Sequence, residues 1–325
     1  MVDAPRIVFD STYLTIYDPS TIVASFHGLE IAIGLGFILT LRHAIARHRE
    51  GSAWPLFLWL MTLMYGVVME VLTYNTVDNF SHAQFTVMLY HKKLPLYVVM
   101  LYPAFVYTAV QTARRLGMRG VSTFFATGLI AVLIDVPFDI MGPDAGWWWW
   151  HEDAEDPLGL VAHRWLGVPV SSYCWHLLFE GSQWLVAHRF RRRVDAWSTR
   201  SLVGTVTRAL PWALLGGVAS VITGVIVMMP FHAFRGVGLH DGVFTTTLLV
   251  VSSLALLLGH KRGASPPDWS LLSWVLVWNF FFVALAYWIL MGGDIPQTAA
   301  KAIVIGGVAA VSVVLHAYIH FRKAD

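Results

Sequence analysis

A single cysteine, Cys174, is all that the 325 residues contain. That excludes an intrachain disulfide and any metal site built from four thiolates. Charge is scarce as well. Asp, Glu, Lys and Arg make up 13% of the chain and leave a net charge of only +2, so no basic surface for nucleic acid is expected. No HExxH or similarly dense ligand motif occurs, nor any low-complexity linker or polar stretch that could form a soluble domain. The first twenty residues set Asp3, Asp10 and Asp18 against Arg6. This is the wrong charge for the start of a cleaved signal peptide, so the first apolar segment is expected to remain as a helix.

What the chain has instead is apolar material: 57% hydrophobic and 14% aromatic residues, with a mean hydropathy of +0.61. One soluble core cannot absorb that much. Crossing the hydrocarbon core takes a helix of about 20 apolar residues. Such windows recur near 21–42, 54–74, 94–113, 120–141, 167–188, 207–230, 243–260, 270–291 and 301–321. The expected fold is therefore all-α, a polytopic bundle of about nine spans forming one membrane domain over 1–325. Within it, 54–188 reads as a two-copy helix-pair core and 207–321 as a C-terminal four-helix portion.

Lys and Arg are not spread evenly between the loops. Fifteen lie in alternate loops and the tail: Arg42, Arg47, Arg49, Arg114, Arg115, Arg119, Arg189, Arg191, Arg192, Arg193, Arg200, Lys261, Arg262, Arg322 and Lys323. The other loops hold Arg6, Lys92, Lys93, Arg164, Arg235 and Lys301 together with the acidic run Glu152, Asp153, Glu155 and Asp156. By the positive-inside rule the N-terminus is expected outside and the C-terminus in the cytoplasm, most simply in a plasma (inner) membrane.

Ionisable groups inside spans cost about 2.5–3.5 kcal/mol each and so mark candidate sites. Glu70 falls in the second span, Asp135 and Asp139 in the fourth, and His176 and Glu180 in the fifth, all toward the expected outer ends. Asp135 and Asp139 are four residues apart and share a helical face, with Pro137 between them able to loosen the backbone. Two carboxylates so close do not both ionise cheaply. One is expected to stay protonated, as a general acid requires. Tyr173, His176 and Glu180 share a face of the fifth span, a pattern suited to proton relay or to metal ligation, or simply to a histidine satisfied by its own glutamate. A metal alternative would draw on His27, Glu30, His176, His232 and His240.

Trp147, Trp148, Trp149 and Trp150 follow Gly146 without a break. The run reads either as an interfacial aromatic belt or as indole faces lining a pocket for a polyene or carbocation. Arg164, near the start of the fifth span, is a candidate clamp or a snorkelling interfacial cation. Glu70, Asn75, Phe80 and Leu94-Pro95-Leu96 are echoed by Asp139, the tryptophans and Val168-Pro169-Val170, a weak internal duplication with proline in the first turn of each following helix.

Asp135-Val136-Pro137-Phe138-Asp139, then Gly146-Trp147-Trp148-Trp149, then Gly167-Val168-Pro169-Val170-Ser171 opening a helix with Trp175, resembles the membrane carotenoid hydratase family of the bisanhydrobacterioruberin hydratase type. The likeness covers roughly residues 65–185 and extends more widely to membrane lycopene cyclases. It implies a cofactor-free enzyme that protonates an alkene of an isoprenoid or carotenoid-like lipid, leading to hydration or cyclisation. Asp135 or Asp139 would be the acid, Glu70 its counterpart, and His176 would position water. Trp147–Trp150, Tyr173, Trp175, Asn75 and Arg164 would line the substrate site. The acidic segment after His151 and the last four helices depart from the family pattern, and Thr73-Tyr74-Asn75 stands where the family has a glycine-rich loop. Two other expectations stay open: a metal-dependent lipid hydrolase, and a non-enzymatic lipid-binding subunit of a larger membrane complex. The expected partners are the bilayer, an apolar lipid and other membrane proteins.

Overall fold

The structure is a computed structural model and describes residues 4–151, 163–198, 201–259, 267–292 and 298–321. The acidic run Glu152–Asp156 lies outside the described residues, as do the basic residues Arg200, Lys261, Arg262, Arg322 and Lys323.

Each apolar window becomes one long helix: α1 (Ala24–Arg49), α2 (Trp54–Thr76), α3 (Leu96–Arg115), α4 (Val121–Asp144), α5 (Val170–Asp195), α6 (Leu202–Gly236), α7 (Asp241–Gly259), α8 (Trp269–Leu290) and α9 (Ala299–Phe321). Eight of them are long and apolar enough to cross a membrane, and the protein is an integral membrane helical bundle. The exception is α5, whose apolar run is broken by Ser171, Ser172, His176, Glu180 and Gln183 before a basic end. Its 26 residues give about 39 Å, enough to span.

Helix α4 sits at the centre, almost wholly enclosed, and α3 is nearly as buried. The last four helices form no bundle of their own. Helix α6 packs on α2 and α5, α7 on α4 and α5, α8 on α1, and α9 on both α8 and α4. They surround the first five and turn side chains such as Ile222, Ile226, Leu258, Phe280 and Val314 outward, to where lipid lies.

Two prolines shape the central helices. Pro103 initiates a single π-helical turn, Pro103–Tyr107, inside α3. Such turns rotate the side chains that follow and recur at functional sites. Pro137 lies inside α4 and takes one N–H out of the ladder, while Trp278 of α8 donates to the neighbouring Ile134 carbonyl at 2.8 Å.

Short strands cap one end of the bundle: β1 (Ile7–Asp10), β2 (Leu14–Tyr17), β3 (Phe80–His82), β4 (Val87–Leu89), β5 (Leu94–Pro95), β6 (Trp148–Trp150), β7 (Arg164–Trp165) and β8 (Val168–Pro169). The α2–α3 and α4–α5 connections share one plan. Each leaves its helix through one strand and then forms a hairpin, β4–β5 or β7–β8, that leads into the next helix. The first strands of the two connections pair with each other antiparallel, with Phe80 opposite Trp150 and His82 opposite Trp148. The N-terminal β1–β2 pair extends the β4–β5 hairpin into a four-stranded sheet.

At the opposite end, His43 of α1 lies 2.6 Å from Asp268 and its other ring nitrogen 2.5 Å from the Tyr107 hydroxyl. Arg47 adds a longer contact to Asp268 at 3.4 Å, and the Asp268 backbone N–H donates to His320 of α9. Burial pushes the Asp268 carboxyl up, yet the His43 hydrogen bond and charge, helped by Arg47, outweigh it and hold the group below the usual carboxylate range.

Candidate functional site

Between the two helix pairs lies a cavity of about 170 Å³, roofed by β3 and β6. All five acids and histidines that the sequence singled out as catalytic candidates line it: Glu70 from α2, Asp135 and Asp139 from α4, His176 and Glu180 from α5. The rest of the wall is mainly aromatic and aliphatic, with Phe80, Phe105, Phe138, Trp148, Trp150 and Trp175 the largest members, and Thr73, Asn79, His82, Ser171 and Ser172 add polar groups.

Spacing explains the convergence. Asp135 and Asp139 lie one helical turn apart on α4, and Ser172 and His176 stand one turn apart on α5, facing them. His176 Nε2 is 2.8 Å from Asp135 Oδ2 and 3.8 Å from Asp139 Oδ2, while its Nδ1 is 3.7 Å from Glu180. The Ser172 hydroxyl donates to Asp139 at 2.6 Å. The helices can approach this closely because Gly128 of α4 lies under the Leu177 carbonyl of α5, where a Cβ would be only 2.1 Å from the oxygen.

Glu70 has its own partner on the other side of the cavity. The Tyr102 hydroxyl donates to it at 2.6 Å. Gly66, one turn before Glu70, makes room for this tyrosine: a Cβ there would meet the ring at 2.3 Å. One oxygen each of Glu70 and Glu180 has no hydrogen-bond partner among the described residues, so donor groups of a ligand or water have somewhere to bind.

The tryptophan run is neither a helix nor a uniform belt. Trp148–Trp150 form β6, and strand alternation sends Trp148 and Trp150 into the cavity while Trp149 points out, 48% exposed. Trp147 is buried behind the wall, stacked between Phe138 and Phe281. Two of the five tryptophans expected to bind substrate, Trp147 and Trp149, therefore do not line the cavity. Three further expected contacts fall outside it as well. Asn75 bonds the Val71 carbonyl and the Tyr90 hydroxyl, Tyr173 donates to the Trp165 carbonyl, and Arg164 is exposed on β7. Trp175 does line it.

The histidines expected as an alternative metal site are not brought together. His27 bridges Glu30 and the Pro19 carbonyl, and Glu30 accepts from both Thr86 N and Thr86 Oγ1, which fastens α1 to the connection above the cavity. His232 stands edge-on to Phe231 on α6. Helices α1, α5 and α6 present these residues to different neighbours, so one ion cannot reach them all. Two other groupings do have metal-like spacing among the described residues: Asp135, Asp139 and His176 in the cavity, and His163, His240 and Asp241 outside it.

Several lining residues are given no role by the sequence reading. His82 of β3 holds the Tyr97 hydroxyl at 3.1 Å, and burial pushes its imidazole down to about 3, so it is neutral at physiological pH. Ser172 and Tyr102 were also missed. Tyr102 had a signal, because it stands as far beyond Pro95 as His176 stands beyond Pro169.

The model of a family described as a domain of unknown function (DUF7802) matches residues 14–291, most of the chain. The chain belongs to the DUF7802 family. The match runs from β2 through α8, so the DUF7802 unit includes every residue that lines the cavity. No curated protein and no solved structure matches the chain.

Proposed function

We propose that this DUF7802 protein is a cofactor-free membrane enzyme that protonates an alkene of an isoprenoid or carotenoid-like lipid and directs the cation to hydration or ring closure. One observation carries the reading: a compact group of carboxyls and the His176 imidazole is set in the wall of a largely apolar, aromatic-rich cavity inside the bundle. Protonating an alkene needs an un-ionised acid, and the resulting tertiary cation needs an environment that neither quenches nor repels it. Indole and phenyl faces meet the second requirement through their negative quadrupole.

The geometry suggests a division of labour. Asp139, which accepts from Ser172 and stands farther from His176, is the proton donor. Its O–H bond breaks as a C–H bond forms on the alkene. His176, oriented by Asp135 at 2.8 Å, receives the proton released when water adds to the cation or when the cyclised cation loses a neighbouring hydrogen. Return of that proton to Asp139 restores the starting state, and no electron is gained or lost. Glu70 with Tyr102 offers a second polar pair across the cavity. On the basic-residue bias of the loops, the cavity end of the bundle faces away from the cytoplasm.

The test is turnover. Membranes containing the wild-type protein are supplied with polyprenyl and carotenoid substrates, and products are read by mass spectrometry. Asp139→Asn and Asp135→Asn should each abolish conversion while the protein still purifies as a folded species. Full conversion by both variants sinks the proposal.

A second reading has a specific observation behind it. Asp135, Asp139 and His176 place donor atoms within 4.8 Å of one another, two carboxylates and an imidazole being a set suited to a divalent metal. Those three residues would hold the ion, which would supply Lewis acidity for lipid hydrolysis. Stoichiometric metal that disappears in Asp135→Asn would favour this reading over the cofactor-free one.

A further inference from the structure

We propose that His163, His240 and Asp241 form a binding site for a divalent transition cation of the zinc type on the rim of the bundle. None of the three lines the cavity, and together they offer two imidazoles and a carboxylate from two separate connections. His163 stands just before β7, and His240 and Asp241 stand at the turn between α6 and α7.

Three features of the cluster point to a cation. His163 Nδ1 and His240 Nδ1 approach the same oxygen, Asp241 Oδ1, at 2.9 and 3.4 Å. Two ligand atoms each about 2.0–2.1 Å from a tetrahedral zinc are about 3.3 Å apart, which the His240 separation matches and the His163 separation reaches with an outward shift of about 0.4 Å by its exposed side chain. Asp241 is only 2% exposed, yet that oxygen has no partner in hydrogen-bond geometry. A buried carboxylate oxygen whose neighbouring imidazoles lack hydrogen-bond geometry is poorly satisfied, and a metal ion between the three groups is one way to satisfy it. Finally, the two imidazoles stack at 4.5 Å, with about half of each side chain exposed. The ion therefore has a path of entry, and a fourth position stays open to water.

The surroundings fit a bound carboxylate. Arg235 Nε lies 3.7 Å from the other Asp241 oxygen and orients Oδ1 toward the rings. His240 Nδ1 currently accepts the Gly242 N–H at 3.0 Å. Ligation takes that lone pair and leaves the N–H, in the first turn of α7, to water. The ion would cross-link the β7–β8 hairpin to the start of α7. Because that hairpin leads directly into α5, metal would steady the turn that carries Ser172 and His176 into the cavity.

The full chain, stripped with chelator and dialysed against Zn²⁺ alone, is expected to retain one zinc per chain by elemental analysis. Asp241→Asn and His163→Gln should each weaken Zn²⁺ binding about tenfold or more in competition with a chromophoric chelator. His176→Gln, in the cavity, should leave that affinity unchanged. The exposed His163 side chain keeps the test independent of folding. His163→Gln should unfold at the wild-type temperature without zinc and fail to gain the increase that zinc gives the wild type. Absence of bound zinc overturns the proposal, as does binding that survives both Asp241→Asn and His163→Gln, or that is lost only in His176→Gln.

Discussion

Tyr102 of α3 and His176 of α5 each stand seven residues beyond the proline that opens their helix, Pro95 and Pro169, and each reaches a carboxylate on the helix before it. The same spacing brings Val98 and Ser172, Leu101 and Trp175, and Val106 and Glu180 to the wall of one cavity. The two helix pairs share this geometry and differ in their chemistry. A phenol faces a lone glutamate in one, while an imidazole faces paired aspartates in the other.

That difference in chemistry separates two variants. His176→Gln removes the proton acceptor and should lower turnover by about 10²–10⁴-fold. Tyr102→Phe leaves the acid pair intact and should cost about tenfold or less in turnover. It should lower stability by about 1–3 kcal/mol, because Glu70 loses its donor in a buried setting. Rates from the same membrane preparation, with thermal unfolding of each variant, check both outcomes. Equal losses of turnover would remove the distinction.

Gly66→Ala tests the support beneath that tyrosine. The new methyl would lie 2.3 Å from the Tyr102 ring, so the ring has to move off Glu70. Overpacking of this kind costs about 1–3 kcal/mol. The expected phenotype is that of Tyr102→Phe with added destabilisation, and the double variant should be no slower in turnover than Gly66→Ala alone.

His82 supplies a pH dependence with a definite sign. Its folded value of about 3 lies below the ordinary 6.5, so between these limits the unfolded chain binds a proton that the folded chain refuses. Stability from this group is fully present above about pH 6.5 and declines as pH falls toward 3. His82→Gln should flatten the fall of the unfolding temperature between pH 6.5 and 4. An unchanged slope would show that His82 protonates without penalty.

Asp268→Asn probes the far end of the bundle. Burial raises this carboxyl, but His43 and Arg47 more than compensate and keep it charged. Breaking such a pair from one side costs about 3–5 kcal/mol. Turnover per folded molecule should be unchanged, because Asp268 is remote from the cavity. Thermal unfolding with specific activity separates the two effects.

The sequence reveals the frame of this protein more fully than the details of its site. Membrane spans are legible because each must carry about 20 apolar residues whatever its neighbours are. Glu70, Asp135, Asp139, His176 and Glu180 stand out for the same reason, since each interrupts an apolar run. Which helices those runs touch is decided by packing, so the way α6 to α9 divide themselves around the first five has no local signal. Strands of two or three residues are too short for periodicity to register. This is why Trp147–Trp150 read equally as an interfacial belt or as a pocket lining, when pairing with Phe80–His82 sets Trp148, Trp149 and Trp150 alternately in and out. The grouping of His163 with His240 and Asp241 depends on two connections meeting in space, which spacing along the chain does not encode.

On the proposed chemistry, the dimensions of the cavity bear on the order in which products appear. A cavity of about 170 Å³ takes up part of a long polyene rather than the whole chain, so one reactive end is engaged at a time. For a symmetrical substrate the two ends then require two separate visits. A product altered at one end should therefore build up early in a time course and decay as the doubly altered one replaces it.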